Sequence, residues 1–155
     1  MTVMISGDQL ATIKLGTFCR GAAKTVPQNA TTTVFTVSGG RVLVTSLTGK
    51  VTTVIGGTTP ALKLVATPTT GTANDMCTAL TISASEVGTQ FSMPAATGSA
   101  LAGVISKSGS VSAPGSQVVA IGTIGFNVSA ADATGAIQWT LSYVPLDLGA
   151  AVVAN

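Results

Sequence analysis

The chain has no histidine in its 155 residues, and its charged side chains are limited to seven Lys or Arg and five Asp or Glu. Without histidine the commonest general base is missing, and so are the usual metal ligand and the Ser–His and Cys–His nucleophile pairs. Charged residues make up 8% of the chain, against about 25% in ordinary globular domains. The surface must therefore be polar through Thr, Ser, Asn, Gln and backbone. Aromatics are scarce too, with one Trp, one Tyr and four Phe, too few to furnish both a core and an exposed stacking platform.

Other absences narrow the classes further. No apolar run approaches the ~20 residues of a membrane helix. The opening MTVMISGDQLATIKLG has neither a basic start nor an unbroken apolar stretch, so it does not read as a signal peptide. The expectation is a chain made in the cytoplasm that stays there or leaves inside a larger particle. Cys19 and Cys77 stand far apart with no CxxC and no Cys/His set, which argues against zinc. A disulfide between them would need an oxidising compartment, and two free thiols buried as small apolar groups are the favoured reading.

What is present is threonine, 25 residues of it, and 18 glycines. Apolar residues reach 46%, and the length suits one domain that buries roughly 70% of its unfolded surface. A free monomer with so little charge has weak colloidal protection, so a homo-oligomer or a subunit docked on a larger lattice fits better than a solitary chain. A tolerant Thr/Ser surface is the plainer alternative.

The charges are unevenly spread. Lys14, Arg20, Lys24, Arg41, Lys50 and Lys63 face only Asp8 in the opening part. Lys107 stands against Asp75, Glu86, Asp132 and Asp147 in the rest. Opposite halves could attract between neighbouring subunits, or these could be scattered solvated charges. The basic residues are not clustered, so nucleic acid is not an expected partner.

Residues 1–31 read as an irregular N-terminal arm or loop. Within them Leu10, Ile13 and Leu15 fit either a strand or a short helical turn. From residue 32 the pattern becomes β. Thr32–Val37 ends at Gly39-Gly40. Arg41–Leu47 and Val51–Ile55 read as a hairpin around Thr48-Gly49-Lys50. Ala61–Ala66, Ala79–Ser83, Gln90–Met93 and Leu101–Ser106 are further strands. SGSVSAPGS, residues 108–116, is a loop. Val118–Ser129 reads as one long strand, with Gly122 and Gly125 marking a bulge or close backbone approach. Ala131–Gly135 is a turn. In the last expected strand Ile137, Trp139, Leu141 and Tyr143 share one face, which predicts burial, while Gln138, Thr140 and Ser142 take the other. Ser83 and Glu86 have capping-box spacing, but no helical run follows. About eight to ten short strands at this spacing predict an all-β fold, an antiparallel, jelly-roll-like β-sandwich over residues 32–155, with a barrel as the related alternative.

Candidate chemistry is thin. Asp8 and Asp132 fall in expected turns. Glu86 with Asp75 would have to be assembled by the fold to serve as a glycosidase pair. Ser106-Lys107 could form a Ser–Lys dyad but reads better as loop. Gly122-Thr123-Ile124-Gly125-Phe126 lacks the Lys-Ser/Thr of a phosphate loop. No catalytic, cofactor or metal site is expected, and no small-molecule substrate.

Two segments carry a resemblance, RVLVTSLTGKVTTVIGGTTPALKLVATPTTG in the middle and AIGTIGFNVSAADATGAIQWTLSYVPLDLGAAVVAN at the end. The second places an IxWxLxYxPLD hairpin strand before an apolar tail. Together they resemble small structural proteins of tailed bacteriophages and prophages, over residues 32–149. The resemblance implies a non-enzymatic virion component. Its first form is a capsid decoration (cement) protein on the outer capsid surface, trimeric and bound to the major capsid protein. Its second is a fibre, tail or head-spike subunit, though no repeat or coiled-coil stem supports that. A carbohydrate-binding module or small adhesin is the alternative from another class. In the decoration reading the N-terminal arm reaches onto a neighbour, and Lys14, Arg20 and Lys24 are the expected partner contacts, facing an acidic capsid surface.

Overall fold

Two antiparallel six-stranded sheets, packed face to face, form an open β-sandwich. The structure is a computed structural model and describes residues 6–103, 111 and 115–155. One short helix, α1 (Gly7–Leu15), precedes β1 (Thr17–Thr25), β2 (Ala30–Ser38), β3 (Val42–Gly56), β4 (Ala61–Pro68), β5 (Asn74–Asp75) and β6 (Leu80–Thr81). Then come β7 (Gln90–Ser92), β8 (Ala102–Gly103), β9 (Gln117–Val119), β10 (Gly122–Val128), β11 (Thr134–Pro145) and β12 (Ala151–Ala154). The first sheet runs β1-β11-β3-β7-β8, with β9 also on β3; the second runs β12-β2-β10-β4-β5, with β6 also on β4.

The longest ladder joins β3 to β11, and it corrects the expected hairpin. Thr48, Gly49 and Lys50 do not turn; they lie mid-strand opposite Thr140, Trp139 and Gln138. Gly49 is there because the indole needs its space. A Cβ added at Gly49 would lie 2.8–2.9 Å from the Trp139 ring, well inside van der Waals contact. A glycine inside a strand marks close approach as readily as a turn, and here it is the approach that counts.

Around this pair the core fills from both sheets. The alternation read in β11 holds, with Ile137, Trp139, Leu141 and Tyr143 all buried. Phe126 of β10 reaches across so that its ring centre lies 5.6 Å from that of Trp139, tilted by 39°, a favourable arrangement for aromatic quadrupoles. Phe35, Phe91 and Phe126 are fully buried, whereas Phe18 is 63% exposed.

The expected strand over Val118–Ser129 is two strands. β9 belongs to the first sheet and β10 to the second, and the chain crosses between them at Ala120-Ile121. Gly122 permits the crossing with φ +151°, and a Cβ there would fall 2.2 Å from the Thr67 carbonyl oxygen. Gly125 does mark a bulge, between Ile124 and Gly125 against β2.

Both ends of the chain are more ordered than their composition announced. Residues 7–15 take the helical option, closed by a capping box: the Ser6 hydroxyl accepts from the Gln9 N–H, and the Ser6 N–H donates to Gln9 Oε1. Asp8, expected in a turn, lies in the first turn of α1. Residues 17–25, expected as arm or loop, form edge strand β1 on β11. The apolar tail forms β12 on β2. Ser106-Lys107 and most of SGSVSAPGS lie outside the described residues.

Gly49→Val should lower the thermal midpoint by the equivalent of about 1–3 kcal/mol, the usual range for overpacking a tight core. Gly98→Ala is the control, since nothing lies within 4 Å of a Cβ there. Its expected change is within about 0.5 kcal/mol. Paired thermal melts check both.

Candidate functional surface

Three of the described carboxylates, Asp147, Asp132 and Asp75, are used structurally. Asp147 Oδ2 accepts from the Arg41 backbone N–H at 2.7 Å and from Nε at 3.0 Å, and its Oδ1 accepts from Nη2 at 2.9 Å. This clamp ties the chain just before β3 to the link between β11 and β12, and it holds the Asp147 carboxyl down at about 2. Asp132 accepts from the Thr58 N–H and hydroxyl, which lowers its pKa as well. Asp75 pairs with Lys63 at 2.8 Å. Glu86 is exposed in the loop before β7. The Glu86–Asp75 idea gains nothing from this arrangement, because Asp75 is spent on Lys63. Two of the early cations are thus neutralised within the chain.

Neither cysteine is in a disulfide. Cys77 is fully buried, and its sulfur accepts from the Leu64 N–H at 3.2 Å. Cys19 is half-buried and bonded to the Ala154 backbone. Burial raises both thiol pKa values, so both are poor nucleophiles. No group of three or more Cys, Asp or Glu among the described residues is placed to hold a metal. No described helix is long and apolar enough to cross a membrane. An open cleft of about 510 Å³ runs past Gly40, Arg41, Pro68, Thr69, Ile121 and Asp147, but its only charged groups are the clamp already satisfied. Trp139 and Tyr143 are core residues and offer no stacking platform.

What remains is surface. Lys14 sits exposed in the last turn of α1, where its charge complements the helix dipole. Arg20 and Lys24 are both on β1, but a bulge between Arg20 and Ala23 changes the phase. Arg20 stands opposite Thr140 on the outer face, whereas Lys24 stands opposite buried Ile137 on the inward side. The three expected contacts therefore do not make one patch.

Arg20 instead joins residues that sequence reading missed. Its Nη2 donates to Gln138 Oε1 at 2.6 Å, while Gln138 Nε2 donates to the Gly21 carbonyl at 3.1 Å. Lys50 lies directly opposite Gln138 on the other flank. The outward phase of Gln138 was available from the β11 alternation. The place of Lys50 on this face depends on β3 running straight through Thr48-Gly49-Lys50.

No protein-family model, curated protein or solved structure compared with this chain matches it. Its surface must be read on its own terms. The first sheet's outer face is built from Thr48, Thr140, Ser46 and Ser142, flanked by Arg20, Lys50 and Phe18. Small hydroxyl side chains there can both donate and accept hydrogen bonds, and the face is covered towards β7, where Ser92 opposite Thr48 is buried. Such a surface suits contact with another macromolecule more than capture of a small ligand.

The clamp sets an acid limit. A carboxyl whose folded pKa is depressed adds stability above its unfolded pKa, and that stability is lost as pH falls through the folded value. Asp147→Asn should thus melt below wild type at pH 6, and the gap should close as pH falls from about 4 towards 2. Melts across that range check the sign. Thiol titration with a chromogenic disulfide at neutral pH should label Cys19 slowly and Cys77 only after unfolding. Prompt labelling of both would contradict the burial argument.

Proposed function

We propose that this chain is a non-enzymatic virion structural protein, a capsid decoration subunit that binds the outer shell surface, as a trimer, and strengthens it. The observation that carries the reading is the IxWxLxYxPLD segment. Its resemblance to structural proteins of tailed phages coincides with a physical role, because its Ile/Trp/Leu/Tyr face joins the sandwich core and its Gln/Thr/Ser face points outward.

The low charge supports the same reading. A surface of hydroxyls and amides gains little from solvation by comparison with a Lys/Glu surface, and repeated contact around a lattice turns modest affinity at each site into high avidity. Binding only to the assembled, folded shell also stabilises that shell by mass action. The arm of this reading is confined to the residues before β1, since residues 17–25 are part of the sandwich.

Purified protein should run as a trimer near three times 15.2 kDa by light scattering. It should co-sediment with empty shells that lack it and raise their heat resistance. Shells that neither bind the protein nor gain stability at saturating concentrations would count against the reading. An aromatic-lined glycan site would then have to be sought elsewhere on the chain.

A further inference from the structure

We propose that the outer face of the first sheet docks onto an acidic patch of another folded protein, with Phe18 as the apolar anchor and Arg20 and Lys50 as receivers of the partner's carboxylates. Taking that partner to be the shell protein rests on the decoration reading. The charge argument does not.

Three observations carry the inference. Arg20 and Lys50 flank one neutral side chain, Gln138, which is fixed in place by the carbonyl that the β1 bulge exposes. No described carboxylate lies within ion-pair distance of either cation, whereas Arg41 and Lys63 each have one. One row along the same face stands Phe18, opposite Ser142 and largely exposed, while the other three phenylalanines are fully buried. Aromatic and Arg side chains are the residue types that most often anchor protein interfaces, and here both stand side by side on edge strand β1. A guanidinium resting on an amide oxygen gains more from a carboxylate delivered into a drying interface.

Other occupants fit less well. A two-fold pairing of this face with a second copy would bring together two faces whose charges, Arg20 and Lys50, have one sign and no carboxylate to answer them. Nucleic acid would need a track of cations matched to repeating phosphates, and two cations beside one ring do not form one. Addition of a strand at the β1 edge is opposed by the bulge and by Lys24, both known guards of exposed edges. The face, not the edge, is the docking element.

Two measurements on the full chain test this. Poly-L-glutamate is titrated into isotope-labelled protein, and binding to undecorated shells is read by co-sedimentation. Both are done for wild type, Arg20→Gln/Lys50→Gln and Phe18→Ser, with the amide spectrum of each variant verifying its fold. Polyglutamate should move the amide signals of Arg20, Lys50 and Gln138 in wild type and not in the double variant. Shell binding should fall at least about tenfold in either variant. Wild-type binding should weaken as salt rises from about 0.05 to about 0.3 M.

Shell binding by both variants that equals wild type overturns the docking face and leaves the decoration reading standing. Absence of wild-type shell binding removes the decoration reading, and the polyglutamate titration then decides alone: unmoved signals at those amides overturn the face. A single-stranded oligonucleotide that moves them at lower concentration overturns it in favour of nucleic acid. A self-associated protein that Phe18→Ser dissociates overturns it in favour of a second copy.

Discussion

Trp139 lying across Gly49 is the contact on which the sandwich depends. Removing the side chain at one position makes room for the largest side chain at the other, and this fixes the register of the two longest strands, β3 and β11. A one-residue slip would turn Ile137, Trp139, Leu141 and Tyr143 out to solvent. Truncating a core Trp typically removes about 3–5 kcal/mol, a large share of a domain's net stability. Phe126 brings the second sheet onto the same indole, so one aromatic group sets both the in-sheet register and the contact between sheets.

From that constraint the rest follows outward. With β11 locked on β3, its other edge receives β1, and the bulge in β1 sends Arg20 out and Lys24 in. The residue opposite Lys50 is then Gln138, and among the described residues the cations without an ion pair lie on the first sheet and α1. The Arg41–Asp147 clamp secures the chain between β11 and β12, which lets the apolar tail return as β12 on the second sheet. Asp75, Asp132 and Asp147 are spent inside the architecture, and Arg20 and Lys50 are left on the outer side of the first sheet.

The β-rich class and the buried face of β11 were legible because period-2 alternation is a local signal, and Ile137 to Tyr143 carry it without interruption. The glycines were legible as punctuation but not in kind. Gly125 does mark a bulge. Gly49 resembles a turn residue locally, because the reason for it is the Trp139 side chain some ninety positions away. Gly122 is a close backbone approach, to the Thr67 carbonyl; what its spacing does not signal is that the chain changes sheets just before it. Edge strands β1 and β12 were hidden for a related reason: Gly21, Ala22, Ala23 and the Ala/Val tail have weak local preference and take their conformation from a partner strand. The outer face was half legible. The phase of Gln138 could be read from β11, but its pairing with Lys50 and Arg20 needed the ladder. Nothing in the sequence joins those three except long-range register.

In the proposed role the sandwich works through the outer face of its first sheet, laid on a larger acidic surface. A reconstruction of decorated particles tests that claim most directly. The account predicts density outside the shell into which the sandwich fits with its first sheet towards the shell, Phe18, Arg20 and Lys50 at the contact. The same sandwich seated by its second sheet, or found in the tail and absent from the shell, would contradict it.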